Sequence, residues 1–165
     1  LRTGVIGVGS MGQNHARIYS EISNLIGIAD TDEEVGRELA TKYSVEYFSD
    51  YRDLVGKVDA VSISVPTTLH YELADFFASN GVHILVEKPL AQNILISEKI
   101  IDVSIKNNVV LSVGHIERHN EEVANAAQYG NHNPHDPHFD ESNLLNGPSA
   151  DGDGISQDDI DKLFG

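Results

Sequence analysis

The chain contains no cysteine and no tryptophan, and only one of its 165 residues is methionine. Without thiols it forms no disulfides, thiolate zinc sites or iron–sulfur clusters. Basic residues are also scarce, because 11 Lys and Arg face 26 Asp and Glu and leave a formal net charge of −15. An acidic chain lacks the basic surface that drives nucleic-acid binding, and anionic lipid repels it. We therefore expect neither nucleic acid nor a membrane as a partner.

Long apolar runs are absent as well. None reaches the roughly 18–20 residues needed to cross a bilayer, and no charged segment followed by an apolar one opens the chain like a secretory signal. A cytoplasmic location is therefore expected. With 40% apolar and 22% charged residues, the composition is typical of a folded domain, and the length suits one domain or one domain with a tail.

The acidic residues are distributed unevenly along the chain. Residues 1–120 carry sixteen acids and ten bases, whereas residues 121–165 carry ten acids and one base. The segment 129–150 is rich in Asn, His, Pro, Asp and Gly, which favours turns and solvated loops. We therefore place a boundary near Asn120 and predict a compact domain, 1–120, followed by an acidic, loop-rich extension, 121–165. Short helices are predicted in the extension at 121–128 and 157–164.

Short apolar runs alternate with helical patterns throughout the first 120 residues. The runs are rich in Val and Ile and apolar on both faces, which is typical of parallel strands covered by helices on both sides. Strands are predicted at 2–7, 25–30, 60–65, 83–87 and 109–114, with a weaker one at 45–48. Helices are predicted at 11–21, 33–42, 50–55, 69–80 and 93–106, the fourth with Thr67 or Thr68 as N-cap and Gly81 just past its end. This alternation predicts an α/β, Rossmann-type fold with a doubly wound, mostly parallel sheet, in which ligands bind at the carboxyl ends of the strands.

A glycine-rich hexapeptide, Gly7-Val8-Gly9-Ser10-Met11-Gly12, follows the first predicted strand and opens the first helix. The string is weak evidence alone, but here it stands in the strand–turn–helix context that dinucleotide binding requires. The first glycine permits a tight turn, the second lets the backbone approach a pyrophosphate, and the third lets the helix pack against the strand. The helix start at Ser10 and Met11 offers free N–H groups to the phosphates.

Asp30 ends the second predicted strand, twenty-three residues after Gly7. Its carboxylate can accept hydrogen bonds from both hydroxyls of an adenine ribose, and its charge would repel a 2′-phosphate. The sequence therefore predicts NAD as cofactor in preference to NADP. The alternative is that the glycines are ordinary turn residues and that Asp30 caps the following helix.

Four strings occur in order along residues 1–120: GVGSMGQNH, SVPTTLH, VEKPLA and VGHIERHN. Together they resemble the glucose–fructose oxidoreductase/inositol dehydrogenase family, written Gfo/Idh/MocA. The last string is most similar to members that act on nucleotide sugars as 3-dehydrogenases, and the EKP motif is far more specific than the glycine motif. The resemblance covers roughly three quarters of the chain.

The resemblance implies nicotinamide-dependent hydride transfer at a hydroxyl or ketone of a sugar or nucleotide sugar. In the family the lysine of EKP, here Lys88, lies beside the nicotinamide and the reacting oxygen, where an amine can move a proton or polarise a carbonyl. Glu87 and Pro89 complete the motif on the cofactor side, and the bond between Lys88 and Pro89 is often cis. From the residues alone, a solvent-exposed Lys88 paired with Glu87 is the alternative.

The resemblance also implies that Val65, Pro66, Thr67 and His70 line the nicotinamide side of the cleft. Pro66 and Thr67 have structural explanations as well, because one can end a strand and the other can cap a helix. His15, one turn into the first helix, is expected to pack inside the domain without contacting a ligand.

His115 and Arg118 follow the sixth predicted strand and would face the substrate, with Arg118 as a bidentate partner for a diphosphate. The alternative for both is a surface loop. Complete family members carry a second domain that covers the cleft, forms much of the oligomer interface and supplies an Asp and a His near the substrate. No such domain fits after Asn120, and Glu121 stands where the family has proline. We therefore expect a truncated piece or a binding domain alone, which holds the cofactor without efficient turnover; homo-oligomer formation stays open.

Two patterns in the extension favour an alternative function. His132, His135 and His138 are separated by prolines, so we predict a solvated loop and no metal site there. Residues 151–159 resemble half of a calcium loop, although Ser149 stands at the first ligand position, and the last ten residues resemble an acidic, partner-docking peptide. The alternative is a non-catalytic nucleotide-binding or interaction module whose tail binds a protein partner or calcium.

Overall fold

The computed structural model describes residues 1–115, and these residues form one six-stranded sheet with helices on both faces. The strands are β1 (Arg2–Ile6), β2 (Asn24–Ala29), β3 (Glu46–Phe48), β4 (Ala60–Ile63), β5 (His83–Val86) and β6 (Leu111–Val113). The α-helices are α1 (Ser10–Ile22), α2 (Glu33–Tyr43), α3 (His70–Ser79) and α4 (Ile94–Lys106), and short 3₁₀ turns lie at Tyr51–Leu54 and Thr67–Leu69.

The sheet is parallel at every strand pairing, in the order β3-β2-β1-β4-β5-β6. The chain therefore moves outward from β1 to β3 and then returns to the other side of β1 with β4. Ile6 at the end of β1 lies opposite Ala29 on one side and Ile63 on the other, so these strands end at the same edge. The predicted doubly wound sheet is confirmed, and its switch point lies between β1 and β4, where such folds bind ligands.

Two apolar clusters fill the space between the sheet and its helices. Val5 and Ile6 follow each other in β1 and belong to different clusters, since successive side chains of a strand point to opposite faces. One cluster packs α1 and α2 on the sheet, and the other packs α3 and α4 around the fully buried Phe77. Each large side chain buried in this way contributes about 1.5–3 kcal/mol. The sheet is therefore fixed from both faces, and its strand ends form a rigid base for the site.

Two local predictions are wrong. The helix predicted at 50–55 is a single 3₁₀ turn, Tyr51–Leu54, in which the Asp50 side chain accepts the N–H of Arg52. Neither Thr67 nor Thr68 caps α3, because both lie within a 3₁₀ turn closed by a bond from the Leu69 N–H to the Pro66 carbonyl. The helix therefore continues from an existing turn and has no free first turn for a hydroxyl to cap. Gly81 does lie just past the end of α3, with φ +73°.

The described residues include no helix that is long and apolar enough to span a membrane. Arg118, the predicted helices at 121–128 and 157–164, the three tail histidines and the calcium-like stretch lie outside residues 1–115. So does the predicted boundary near Asn120.

Candidate functional site

The glycine-rich loop connects β1 to α1 by a turn that requires glycine at two positions for steric reasons. Gly7 has φ +81°, and a Cβ there would lie 2.6 Å from the carbonyl oxygen of Ser64. A Cβ on Gly12 would collide with the carbonyl of Gly7. Any side chain at either position would push the loop off the strand ends.

Gly9 has a different environment, because a Cβ at this position would meet nothing within 4 Å. Its backbone faces open space in front of the loop. Gly9 is also the N-cap of α1, and no side chain caps the helix. The first N–H groups of α1, at Ser10 and Met11, therefore point towards this space with the partial positive charge of a helix start. The arrangement suits an anion that approaches over Gly9.

Asp30 follows β2 and reaches back to the glycine loop. Its Oδ2 accepts the backbone N–H of Val8 at 2.6 Å, and its Oδ1 accepts the backbone N–H of Asp32 at 2.8 Å. Each carboxylate oxygen keeps a second lone pair, which is free to accept a hydroxyl. The alternative role of Asp30 as the cap of α2 is wrong, because Asp32 is the N-cap and accepts from Glu34 and Val35.

A cavity of about 350 Å³ opens at the carboxyl ends of β1, β2 and β4. Five of the predicted cofactor residues line it: Gly7, Gly9, Asp30, Val65 and Pro66. Sequence analysis missed several further lining residues, among them Thr31, Ser49, Ser64, Tyr51 and Leu69. The signal that could have found the first three was their position directly after β2, β3 and β4.

Ser64 lines this cavity, and its hydroxyl group is unpaired among the described residues. Its hydroxyl oxygen is buried and has no hydrogen-bond partner within the described part of the chain. Buried hydroxyl groups are rarely left unpaired, since each lost hydrogen bond costs about 1–3 kcal/mol. An orphaned hydroxyl next to the glycine loop therefore fits a site built for a polar ligand.

His70 lies below the loops and does not line the cavity. It is 1% exposed, with Nε2 2.9 Å from the carbonyl oxygen of Val65 and Nδ1 3.1 Å from that of Leu90. A neutral imidazole donates through only one of its nitrogens, so one carbonyl at a time accepts from the neutral ring. His70 thus links the loop after β4 with the loop after β5, and half-buried Thr67 lies in the turn between Val65 and His70.

The EKP motif follows β5 at the same edge of the sheet. Lys88 and Pro89 are exposed, and the peptide bond between them is cis, as the resemblance implies. Glu87 is only 6% exposed, and its Oε2 accepts the backbone N–H of Lys88 at 3.2 Å. The motif therefore places an exposed lysine directly after a buried carboxylate at this edge of the sheet.

His15 proves to be a contact of that carboxylate. Its Nε2 lies 2.7 Å from Glu87 Oε1, and its Nδ1 lies 2.7 Å from the hydroxyl of Ser62 on β4. The expectation that His15 packs inside the domain fits this placement, but the partner was missed because seventy-two residues separate the pair. Next to it, burial raises the pKa of the Tyr19 hydroxyl, while its hydrogen bond with Ser62 lowers it.

His115 lies at the end of β6, half-buried, and its N–H donates to the Val113 carbonyl at 2.7 Å. It follows Gly114, whose N–H bonds to the Val86 carbonyl at 2.8 Å. His115 therefore stands at the strand edge beside the EKP motif. Among residues 1–115, no group of three or more His, Asp or Glu side chains is arranged to hold a metal ion.

Comparison with known proteins matches most of these residues to one family. The family model described as an oxidoreductase family with an NAD-binding Rossmann fold covers residues 1–115. UDP-N-acetylglucosamine 3-dehydrogenase from Acidithiobacillus ferrooxidans is 39% identical over 118 residues, which are 72% of this chain and 38% of that protein. Myo-inositol 2-dehydrogenase from Thermotoga maritima is 34% identical over 119 residues, which are 69% of this chain and 36% of that protein.

Solved structures show the same fold. UDP-N-acetylglucosamine 3-dehydrogenase GnnA from Acidithiobacillus ferrooxidans superposes with a TM-score of 0.73 at 37% identity, covering 78% of this chain and 43% of that one. GenD2 from gentamicin A biosynthesis, solved in complex with NAD, gives a TM-score of 0.74 at 25% identity, covering 79% and 39%. The chain thus spans less than half the length of these relatives.

Proposed function

We propose that this chain, which belongs to the Gfo/Idh/MocA oxidoreductase family with its NAD-binding Rossmann fold, is the cofactor-binding part of a dehydrogenase. The reaction is hydride transfer at a ring hydroxyl or ketone of a sugar or nucleotide sugar. The observation that carries the proposal is the shared cavity of Gly7, Gly9 and Asp30 at the switch point of the sheet. A glycine loop with room for a pyrophosphate and an acid within reach of a ribose are what a dinucleotide requires.

Different residues of the site contact different parts of the dinucleotide. The open space over Gly9 and the start of α1 accept the pyrophosphate, and Asp30 accepts the adenine ribose hydroxyls. The cavity between β2 and β4 receives the dinucleotide, and the unpaired hydroxyl of Ser64 supplies a polar contact there.

NAD is preferred over NADP in this arrangement. A 2′-phosphate would lie against the Asp30 carboxylate, and like charges at contact distance repel. The described residues that line the cavity include no Lys or Arg to offset this repulsion. A 2′-phosphate would therefore meet one negative charge and no positive one.

Lys88 is the proposed catalytic residue. A bound nicotinamide supplies the hydride acceptor or donor. Lys88 stands at the cleft edge after β5 and moves the proton of the reacting hydroxyl, or holds a carbonyl oxygen by a charged hydrogen bond. Val65 and Thr67 flank the nicotinamide. They lie in the loop after β4, which His70 holds through its hydrogen bond with the Val65 carbonyl.

The substrate proposal follows from what the relatives are named for. One oxidises a nucleotide sugar and the other a cyclic polyol, so the shared chemistry is a secondary ring hydroxyl. His115, and Arg118 beyond the described residues, are the proposed substrate contacts on this chain. The relatives are more than twice as long as the matched segment, and we expect this chain to hold the cofactor but to turn over substrate poorly. Oligomer formation, a partner for the tail and a cytoplasmic location stay predictions.

A thermal-shift titration with NADH, NADPH and calcium tests the proposal. A ligand that binds only the folded chain at about 100 times its Kd adds about 2.7 kcal/mol to its stability. We expect NADH to raise the Tm by several degrees, and NADPH to do so less at equal concentration. No shift with either nucleotide contradicts the proposed function, and a shift with calcium alone supports the interaction-module alternative.

A further inference from the structure

A line of three polar side chains connects the middle of α1 with the end of β5. His15 lies on α1, Ser62 on β4, and Glu87 directly after β5. The Ser62 hydroxyl lies 2.7 Å from His15 Nδ1, and His15 Nε2 lies 2.7 Å from Glu87 Oε1. Ser62 is fully buried, and the side chains of His15 and Glu87 are 13% and 8% exposed. These three groups form a hydrogen-bonded relay that the proposed function does not use.

The hydrogen bonds of the relay run in one direction. A carboxylate only accepts, so His15 Nε2 carries the hydrogen that Glu87 receives. In the neutral ring Nδ1 then accepts from the Ser62 hydroxyl. Both ring nitrogens of His15 are thereby satisfied, which a buried network needs in order to be stable.

Glu87 is confined by this relay. Its Oε1 is held by His15, its Oε2 accepts the backbone N–H of Lys88 at 3.2 Å, and Gly114 approaches so closely that a Cβ there would lie 2.7 Å from Oε1. A buried carboxylate that loses a partner is strongly unfavourable and moves towards water. Lys88 is the exposed residue directly after Glu87, and its N–H donates to this carboxylate, so a shift of the carboxylate shifts the backbone of the proposed catalytic amine.

We propose that His15 is a positioning residue for Lys88, which it orients through the Glu87 carboxylate. This role rests on the proposed function, in which Lys88 lies against the nicotinamide. The position of the active amine thus depends in part on a residue of α1, which does not line the cofactor cavity. His15 itself contacts neither cofactor nor substrate.

Two amide substitutions separate positioning from simple packing. In His15→Gln the side-chain amide reaches the place of Nε2 and can donate to Glu87. In His15→Asn the shorter amide reaches only the place of Nδ1, so it keeps a partner in Ser62 and loses Glu87. Both variants remove the ring and both are neutral and polar. They differ in the one contact that the proposal invokes.

The measurements use the full chain and compare two ligands. ADP-ribose reports the adenosine end alone, and NADH adds the nicotinamide. The exposure of Lys88 is read from its acetylation by an amine-reactive ester, quantified by peptide mass spectrometry with and without saturating NADH. Circular dichroism and Tm establish that each variant is folded.

We expect ADP-ribose affinity to stay within about twofold of the original in both variants. His15→Asn weakens NADH about tenfold, the change that about 1.4 kcal/mol produces, and NADH no longer protects Lys88 from acetylation. His15→Gln restores both. If His15→Asn folds poorly, the double variant His15→Asn/Glu87→Gln is used in its place. It removes the buried, unpaired charge of Glu87, while the hydrogen bond between residues 15 and 87 stays broken.

Equal behaviour of the Gln and Asn variants overturns the positioning role. So does an equal loss of NADH and ADP-ribose binding, or protection of Lys88 that persists in the Asn or double variant. The failure of the proposed function would give a different result. If the unmodified chain binds neither NADH nor ADP-ribose, the proposed dinucleotide site itself is wrong.

Discussion

The Asp30 carboxylate accepts the backbone N–H of Val8 at 2.6 Å, so the acid that would hold the ribose also holds the glycine loop. In the proposed site this one side chain has two roles. We propose that its charge sets the preference between NAD and NADP, and its two hydrogen bonds hold the turn that precedes α1. Substitutions at this position should affect recognition more than folding, provided that an acceptor remains.

Asp30→Asn should narrow the preference for NADH over NADPH. The amide has one acceptor oxygen where the carboxylate has two, so it keeps one of the backbone contacts with Val8 and Asp32 and loses the other, together with the charge that repels a 2′-phosphate. We expect NADH to bind about tenfold more weakly, since hydrogen bonds to charged groups contribute about 1.5–3 kcal/mol, and NADPH to bind as well or better than before. Isothermal titration with both nucleotides measures the ratio.

Asp32→Asn is the matched control, because it removes an equal charge two residues away. Asn caps helices as well as Asp does, so α2 stays formed and both affinities should stay within about twofold of the original. An identical change of preference in the two variants would show that overall charge, and not the ribose contact, sets the cofactor.

Gly9→Ala should abolish NADH binding without unfolding the chain. The new methyl group meets no protein atom within 4 Å, but it occupies the space over the helix start where a pyrophosphate must approach. We expect a modest fall in Tm, because alanine caps a helix less well than glycine does but tolerates the negative φ of −61° at this position, and a loss of at least about tenfold in affinity.

Gly12→Ala is the contrasting variant, because its methyl group collides with the Gly7 carbonyl. Its Tm should fall well below that of Gly9→Ala, as expected for overpacking that costs about 1–3 kcal/mol. If Gly9→Ala binds NADH normally, the pyrophosphate does not lie in the space over Gly9.

Ser64→Ala should weaken NADH binding and leave the free energy of unfolding unchanged or slightly higher. The hydroxyl is buried and unpaired within the described residues, so its removal costs the free chain no hydrogen bond, while the bound ligand loses one. A loss of about threefold to tenfold corresponds to one neutral hydrogen bond. Urea unfolding and NADH titration measure the two effects, and a clear loss of stability without a change in affinity would show that the hydroxyl serves the fold alone.

The Arg2–Asp59 pair should give the fold a contribution that depends on pH. Side-chain and backbone hydrogen bonds from Arg2, with its positive charge, lower the pKa of Asp59 from its ordinary 3.8 to about 2. Because the folded pKa is depressed, the contribution is complete above pH 3.8 and is lost as the pH falls towards 2. Both side chains are exposed, so the effect on stability is small.

Carboxyl NMR titration measures this pKa directly. In Arg2→Gln the pKa of Asp59 should return towards 3.8, whereas Arg37→Gln, which removes the contacts of Arg37 with Glu33 and with the Tyr47 ring, should leave it unchanged. A pKa of Asp59 that stays near 2 in Arg2→Gln would mean that Arg2 does not cause the shift.

The order and type of the main elements could be predicted from local sequence. Runs such as 60–65 and 83–87 are short and rich in Val, Ile and Leu, which is typical of a covered parallel strand, and Gly81 marks the end of α3. The predictions failed at the two 3₁₀ turns. At 50–55 and at Thr67–Leu69 one turn of chain decides between α and 3₁₀ geometry, and packing against neighbouring strands outweighs intrinsic preference at that length.

The sequence by itself determined the parallel sheet, the glycine turn, the acid after β2 and the EKP motif, because each depends on steric limits or on chemistry within a few neighbouring residues. Only the tertiary structure decided which distant groups meet. The parallel register brings Ser62 and Glu87 within reach of His15, and it leaves the hydroxyl of Ser64 unpaired beside the loop. Local spacing carries no information about such contacts, because strands that are adjacent in the sheet are separated in sequence by whole helices.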